Sequence, residues 1–199
     1  MKRRLVLAST SKYRAELLAR LGMPFEVRAP RVDETIAPGE PARDAAARLA
    51  RAKAEAVDET DAVVIGSDQI PSLDGRILRK PGHHGAALEQ LEACQGRSVL
   101  FYTAVSILDR PSGRRWETVD VTEVEFARLG RAALERYLEI ERPYDCAGGF
   151  KAEGLGIALF SAIKSRDPTA LIGLPMIFVA ASLREAGLDP LALASERGA

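Results

Sequence analysis

The stretch Ala62-Val63-Val64-Ile65-Gly66-Ser67-Asp68-Gln69 decides the fold class of this chain. It begins with four apolar residues without alternation, which is typical of a parallel strand covered on both faces. Asp68 follows this apolar run, and open α/β sheets bind ligands at the carboxyl ends of their strands. The sequence therefore predicts a central strand over 62–67 with a carboxylate at a ligand-binding edge. The alternative is an aspartate that only starts a turn.

The segments around this strand alternate between strand and helix patterns. We predict strands over 5–8 and 25–28, hairpins over 70–78 and 99–126, helices over 12–21, 41–57, 85–94, 131–141 and 175–186, and a glycine-rich loop over 146–156. Helix–strand units combined with hairpins predict an α/β fold with a mixed sheet flanked by helices.

Composition narrows the classes of protein to consider. The chain has 199 residues, 47% of them hydrophobic, which fits one globular domain. The 28 Lys and Arg residues balance 28 Asp and Glu residues, so the surface has no general attraction for nucleic acid or membranes. The apolar stretch after Met1-Lys2-Arg3-Arg4 is too short for a signal peptide, and we expect a cytosolic protein. Cys94 and Cys146 predict buried thiols rather than a disulfide framework.

The hydroxyl-rich run Ser9-Thr10-Ser11 stands between the first predicted strand and the first predicted helix. Free backbone N–H groups at a helix start bind anions, and Lys12 and Arg14 add positive charge beside them. This pattern favours a phosphate site. The alternative is that Ser11 only caps the helix and both cations are solvated.

Lys53 occupies an unusual place on the second predicted helix. On a helical wheel centred on Leu49 it lies about 40° from the centre, within the stripe of alanines that should face the protein. Its ammonium group is therefore directed into a cleft, or it snorkels to solvent from the edge of the stripe. Lys80 follows a short hairpin that returns toward Asp68. Taken together, the motifs favour a polyphosphate held by Arg14, Lys53 and Lys80, with Asp68, Glu34 or both handling a divalent cation or a water molecule.

These motifs, in this order, resemble the Maf family. The resemblance extends from about Leu5 to Gly187 and rests on the following segments: Leu7-Ala8-Ser9-Thr10-Ser11 with Arg14 and Leu17-Leu18, Val32-Asp33-Glu34, Lys53-Ala54, Gly66-Ser67-Asp68, Lys80-Pro81, 146–154 and Ile172-Gly173-Leu174-Pro175. It implies one Maf-like nucleotide pyrophosphatase domain over residues 1–199. The implied fold, similar to that of inosine triphosphatase, is an elongated mixed sheet in two lobes with a central cleft.

The resemblance also implies an activity. Members of the family hydrolyse the α–β phosphoanhydride bond of nucleoside triphosphates with a divalent metal, which we take to be Mg, Mn or Co. Carried onto this sequence, Asp68 is the proton acceptor, Glu34 is a second catalytic carboxylate, and both are candidate metal ligands. The phosphate-binding residues are then Ser9, Arg14, Lys53 and Lys80.

Three further positions indicate a branch of the family. Tyr13, Gln69 and Glu153 match the branch that acts on 7-methyl-GTP, although Lys12 replaces the usual proline and Tyr13 a more typical tryptophan. The alternatives are the branch that hydrolyses dTTP and UTP, or a non-catalytic nucleotide-binding regulator of septum formation. The expected partner is a small nucleotide rather than nucleic acid or a membrane, and we allow for a homodimer.

Overall fold

The computed structural model describes residues 3–195; Met1 and Lys2 of the basic start and residues 196–199 lie outside this part of the chain. The strands are β1 (Arg4–Ala8), β2 (Glu26–Arg28), β3 (Ala62–Leu73), β4 (Arg76–Ile77), β5 (Ser98–Asp109), β6 (Arg115–Phe126) and β7 (Phe160–Lys164). The α-helices are α1 (Lys12–Ala19), α2 (Ala42–Glu55), α3 (His84–Cys94), α4 (Arg131–Glu141), α5 (Met176–Glu185) and α6 (Pro190–Ser195). Short 3₁₀ helices span Leu155–Leu159 and Ala170–Ile172. No helix among residues 3–195 combines the length and apolar character of a membrane span.

The strands form one mixed sheet in the order β2-β1-β3-β5-β6-β7, with β4 paired to β3. β1 runs parallel to both β2 and β3. β4 runs antiparallel to β3, and β7 runs antiparallel to β6. The predicted α/β fold with a mixed sheet flanked by helices is confirmed.

The chain divides into two compact units. The first unit takes the described residues up to Gln69, residues 103–120 and the described residues from Asp167 onward; the second takes residues 70–102 and 121–166. The single-domain assignment over residues 1–199 and the central cleft stay predictions.

The core of the first unit explains why its parallel strands are apolar without alternation. Leu5 and Leu7 of β1 lie in a buried cluster with side chains from α1 and α5. Val6 and Ala8 point to the opposite face of the strand and pack with Ala54 of α2. Because successive side chains of a strand alternate between faces, a strand covered on both faces must be apolar throughout.

β3 is longer than the sequence predicts, which corrects the position of Asp68. The predicted strand ends before Asp68, whereas β3 continues to Leu73 and holds Asp68 in its interior. The parallel partner β1 ends at Ala8, opposite Gly66. β3 continues beyond this point because its far end pairs with β4. Asp68 therefore lies just past the end of the β1–β3 pairing rather than at the end of its own strand.

An aromatic cluster organises the second unit. Phe150 packs edge-on against Phe101 of β5 and Phe160 of β7, with ring centroids 5.3 and 4.8 Å apart. The sequence did not predict β7, and the 3₁₀ helix that starts at Leu155 overlaps the predicted glycine-rich loop. Only Phe160 and Ala162 of β7 are half-buried and its other residues are exposed, so the apolar alternation is too short to indicate a strand.

Both cysteines are free thiols, but only one is fully buried. Burial raises the pKa of the Cys94 thiol to about 12. Cys146 is half-buried, and burial together with the neighbouring Asp145 carboxylate raises its pKa to about 11. Both thiols therefore stay protonated at neutral pH, where they are weak nucleophiles.

The closest approach of a helix to the sheet occurs at Gly66 of β3. A Cβ atom at this position would lie 2.2 Å from the carbonyl oxygen of Ala50 and 2.5 Å from the backbone nitrogen of Ala54, both in α2. These atoms belong to the backbone of a helix and cannot turn away as a side chain can. Only glycine therefore allows α2 to lie at this distance from β3.

We expect Gly66→Ala to lower the free energy of unfolding by about 1–3 kcal/mol, because the added methyl group forces α2 off the sheet. Urea unfolding followed by circular dichroism measures this change. Gly85→Ala in α3 is the matched control, since a Cβ there makes only ordinary contacts with the His83 ring. Equal stability of the two variants would contradict the steric role of Gly66.

Candidate active site

Lys53 is the centre of a cluster of charged groups in the first unit. It lies in α2 and is only 6% exposed. Its Nζ atom is 2.6 Å from Asp68 Oδ1 and 2.7 Å from Glu34 Oε1. The alanine stripe of α2 packs on β3 and carries Lys53 with it, so the ammonium group points inward. The snorkelling alternative is therefore wrong.

Arg14 adds a second cation from the first turn of α1. Its Nε atom donates to the carbonyl oxygen of Gly173 at 3.0 Å, and its Nη1 atom lies 3.5 Å from Ser9 Oγ. Burial lowers the pKa of the Arg14 guanidinium, and the negative charges of Asp68 and Glu34 oppose this effect. The guanidinium is thus held beside the carboxylates by the fold rather than solvated on the surface.

The start of α1 is built from serine side chains. Ser11 Oγ caps the helix by accepting from the backbone nitrogen of Arg14 at 3.4 Å. Ser9 is buried, and its Oγ accepts from the backbone nitrogen of Ser11 at 3.1 Å. Ser11 therefore caps the helix, as the alternative interpretation predicted. Of the two cations, Lys12 is exposed, whereas Arg14 lies in the charged cluster.

Tyr13 lies half-buried on the same helix, and the Lys12 ammonium group lies over its ring. Lys12 Nζ is 4.9 Å from the ring centroid, which is a cation–π contact. Lys12 is exposed, so its side chain can leave the ring at little cost. The replacement of the family's proline by Lys12 therefore gives the Tyr13 ring a cation of its own.

The backbone of residues 170–173 accepts hydrogen bonds from several of these side chains. The sequence patterns did not assign this segment to the site. The carbonyl oxygen of Gly173 accepts from Ser67 Oγ at 2.9 Å as well as from Arg14. Gln69 Nε2 donates to the carbonyl oxygens of Ala170 and Leu171, both at 3.0 Å. Gly173 has a φ of 130°, a conformation that favours glycine. The motif Ile172-Gly173-Leu174-Pro175 was the available signal.

The remaining predicted site residues belong to the second unit. Lys80 is exposed and follows β4. Glu153 is also exposed, and its loop is tied to α4: the backbone nitrogen of Lys151 donates to Tyr137 Oη at 3.1 Å, and that of Leu155 donates to Glu141 Oε1 at 2.8 Å. The structure thus brings together Ser9, Arg14, Glu34, Lys53 and Asp68, with Tyr13 and Gln69 in the same unit. The roles of Lys80 and Glu153 stay predictions.

The two carboxylates fit a divalent cation of the kind that the resemblance implies. Asp68 and Glu34 each direct one oxygen at the same ammonium nitrogen, so this place already holds a positive charge between them. No three His, Cys, Asp or Glu side chains of residues 3–195 group closely enough to hold a metal ion. Ions such as Mg²⁺ commonly take one or two carboxylates and complete their shell with water and substrate phosphates. Asp68 and Glu34 suit that mode.

Comparison with known proteins agrees with the motifs. The family described as Maf-like protein matches residues 4–186. The chain is 49% identical to the 7-methyl-GTP pyrophosphatase of Albidiferax ferrireducens over 193 residues, which cover 96% of this chain and 97% of that protein. It is 52% identical to the 7-methyl-GTP pyrophosphatase of Xanthomonas axonopodis pv. citri over 188 residues, 94% of this chain and 98% of that protein. It is 51% identical to the enzyme of the same name from Burkholderia mallei over 189 residues, 92% of this chain and 88% of that protein.

We expect Lys53→Met to lower the free energy of unfolding by about 1–3 kcal/mol at neutral pH, because two carboxylates lose the cation between them and Asp68 is nearly buried. Urea unfolding measures the loss. Lys12→Met removes an exposed lysine of the same unit and serves as the control. If both variants were as stable as the wild type, the ion pairs of Lys53 would not stabilise the fold.

Proposed function

This chain belongs to the family of Maf-like proteins, and we propose that it is a hydrolase that converts 7-methyl-GTP into 7-methyl-GMP and pyrophosphate. One structural observation carries the proposal: a buried lysine bridges two carboxylates near a half-buried arginine at the start of a helix. Cations that could bind a polyphosphate thus lie next to a carboxylate that could accept a proton from water. Three relatives that match nearly the whole chain bear the name of this activity.

Arg14 and Lys53 are the proposed ligands of the triphosphate. Lys53 is buried and Arg14 is half-buried, and a charge-assisted hydrogen bond to phosphate is stronger in such surroundings than in water. Ser9 stands beside Arg14 and offers its hydroxyl hydrogen to a phosphate oxygen. We assign Lys80 to the same triphosphate on the resemblance alone.

Asp68 is the proposed general base, and Glu34 is the second catalytic carboxylate. The oxygen of a water molecule bonds to the α-phosphorus while Asp68 accepts a proton from that water. The bond between the α-phosphorus and the bridging oxygen then breaks, and its electrons leave with pyrophosphate. Such a base must reach the water by a direct hydrogen bond or through one further water.

A divalent metal ion, Mg, Mn or Co, is the proposed cofactor, and Asp68 and Glu34 are the residues that would hold it. When bound, such an ion neutralises charge on the leaving pyrophosphate. Pyrophosphate release measured with each ion and with a chelator tests this requirement. Activity that persists in excess chelator would contradict it.

Tyr13, Gln69 and Glu153 are the proposed residues that select the base. The Watson–Crick edge of guanine presents two adjacent donors, N1–H and the exocyclic amine, which a carboxylate accepts together. Methylation at N7 gives the ring a positive charge, which favours both the Glu153 carboxylate and the face of the Tyr13 ring. Thymine and uracil present one donor between two acceptors and match this set poorly.

The setting of the reaction is also inferred. We propose a cytosolic enzyme, a single Maf-like domain, that acts on free nucleotides and not on nucleic acid, with a homodimer allowed. Equal numbers of acidic and basic residues, 28 of each, support the choice of a small substrate over a polyanion.

We expect Asp68→Asn to lower kcat by at least about 100-fold, because the amide keeps the shape of the side chain but cannot accept the proton. Calorimetry with 7-methyl-GTP should still detect binding. Asp61→Asn, which changes an exposed aspartate just before β3, is the control and should keep full activity. Near-normal turnover by Asp68→Asn would remove this residue from the role of base.

A panel of nucleoside triphosphates tests which nucleobase the site prefers. We expect kcat/KM for 7-methyl-GTP to exceed that for GTP by about 10- to 30-fold, from charge attraction and the cation–π contact. Glu153→Gln should reduce this preference, whereas Glu139→Gln on the exposed face of α4 should not. Preference for dTTP or UTP would favour the other branch of the family. Binding of nucleotide without any product would favour a non-catalytic regulator.

A further inference from the structure

The side-chain amide of Gln69 is held in one orientation by its surroundings. We propose that Thr103, with the backbone carbonyls of Ala170 and Leu171, is a positioning residue that makes Gln69 an obligatory hydrogen-bond acceptor toward the base. This inference rests on the proposed function, because it concerns how that same site chooses its substrate.

The orientation follows from the partners of the amide nitrogen. Gln69 Nε2 is 3.0 Å from each of the carbonyl oxygens of Ala170 and Leu171. A backbone carbonyl only accepts hydrogen bonds, so the group that faces both of them must be the NH₂ group. The reverse orientation would set the Oε1 oxygen against two carbonyl oxygens with no hydrogen between it and either of them.

Thr103 contributes a third acceptor and also aligns one of the carbonyls. Its hydroxyl donates to the carbonyl oxygen of Ala170 at 3.0 Å, which uses its only hydrogen. Toward Gln69 Nε2, at 2.9 Å, the same hydroxyl can therefore only accept. Thr103 is fully buried in β5, so no water competes for either contact.

The turn that carries the two carbonyls is itself fixed by side chains. Asp167 Oδ1 accepts from the backbone nitrogen of Thr169 at 2.9 Å, and its Oδ2 accepts from that of Ile177 at 2.7 Å. Thr169 Oγ1 accepts from the backbone nitrogen of Met176 at 2.9 Å. These contacts hold both ends of the turn, so the carbonyls of Ala170 and Leu171 cannot rotate to suit a turned amide.

The consequence is chemical selectivity. Both hydrogens of the Gln69 amide are occupied, and no donor in the described part of the chain bonds to Oε1. The oxygen is thus the group that remains for a ligand. An acceptor at this place suits the N–H donors of a guanine edge and opposes the carbonyl acceptors of thymine or uracil. A freely turning glutamine would suit either base.

The test is a double-mutant cycle read as a substrate ratio, kcat/KM for 7-methyl-GTP divided by that for UTP. We expect Thr103→Val, which keeps the shape of the side chain, to lower this ratio by about 3- to 10-fold, the effect of one neutral hydrogen bond. The change should fall on KM, because a contact to the base is equal in the ground and transition states. Thr103→Ser keeps the hydroxyl and should restore the ratio.

The cycle then asks whether Thr103 acts through Gln69. In a Gln69→Met background we expect Thr103→Val to change the ratio by less than about twofold, because the residue to be positioned is gone. Thr103→Ala replaces Thr103→Val in the cycle if the valine variant does not fold. A purely structural role would lower thermal stability and slow both substrates equally.

Each other outcome overturns a defined part of the inference. If the wild type prefers 7-methyl-GTP but its ratio does not respond to Thr103→Val, or responds equally in the Gln69→Met background, the positioning role fails and the proposed function stands. If the wild type releases no pyrophosphate from either nucleotide, or prefers UTP, the proposed function fails and takes the positioning role with it.

Discussion

At Gly66 the backbone of α2 comes so close to β3 that no side chain fits between them, and this contact sets the distance from Lys53 to Asp68. Lys53 lies one helical turn from Ala50, and Asp68 lies two residues after Gly66, on the same face of the strand. A larger residue at 66 would move the whole helix and with it the ammonium group. The ion pairs of the site are therefore a result of backbone packing: α2 and β3 pack closely at Gly66, and this packing brings the charged groups together.

The electrostatics of the first unit are locally balanced. Two carboxylates, Asp68 and Glu34, stand against two cations, Lys53 and Arg14. Burying an unpaired charge costs far more than burying a paired one, so Asp68 and the exposed Glu34 together make the burial of the Lys53 ammonium tolerable. The cost of removing Arg14 from water shows in the lowering of its pKa, and the carboxylates reduce that cost. A site prepared in this way needs little rearrangement to meet an anion.

Local sequence patterns predicted the helix and strand that carry the site, but they did not predict contacts between residues far apart in the sequence. The wheel placed Lys53 on the inner face of α2, and the apolar run of 62–65 identified β3, because both signals are periodic and short in range. The end of β3 was wrong, since pairing with β4 continues the strand past Asp68. The partners of Gln69 could not be found, because they are backbone carbonyls about a hundred positions away, and every residue carries such a carbonyl. Backbone groups leave no mark of their own in a sequence.

The contacts of the Gly173 carbonyl determine when the site can form during translation. It binds Arg14, 159 positions earlier in the chain, and Ser67, 106 positions earlier. A ribosome adding roughly 5–20 residues per second needs on the order of ten seconds to pass from the arginine to its acceptor. During that interval β1, α1 and β3 can form, but the arginine has no fixed place. A nascent chain therefore carries the cations and carboxylates of the site long before it can arrange them, and these contacts can form only after Gly173 has been added.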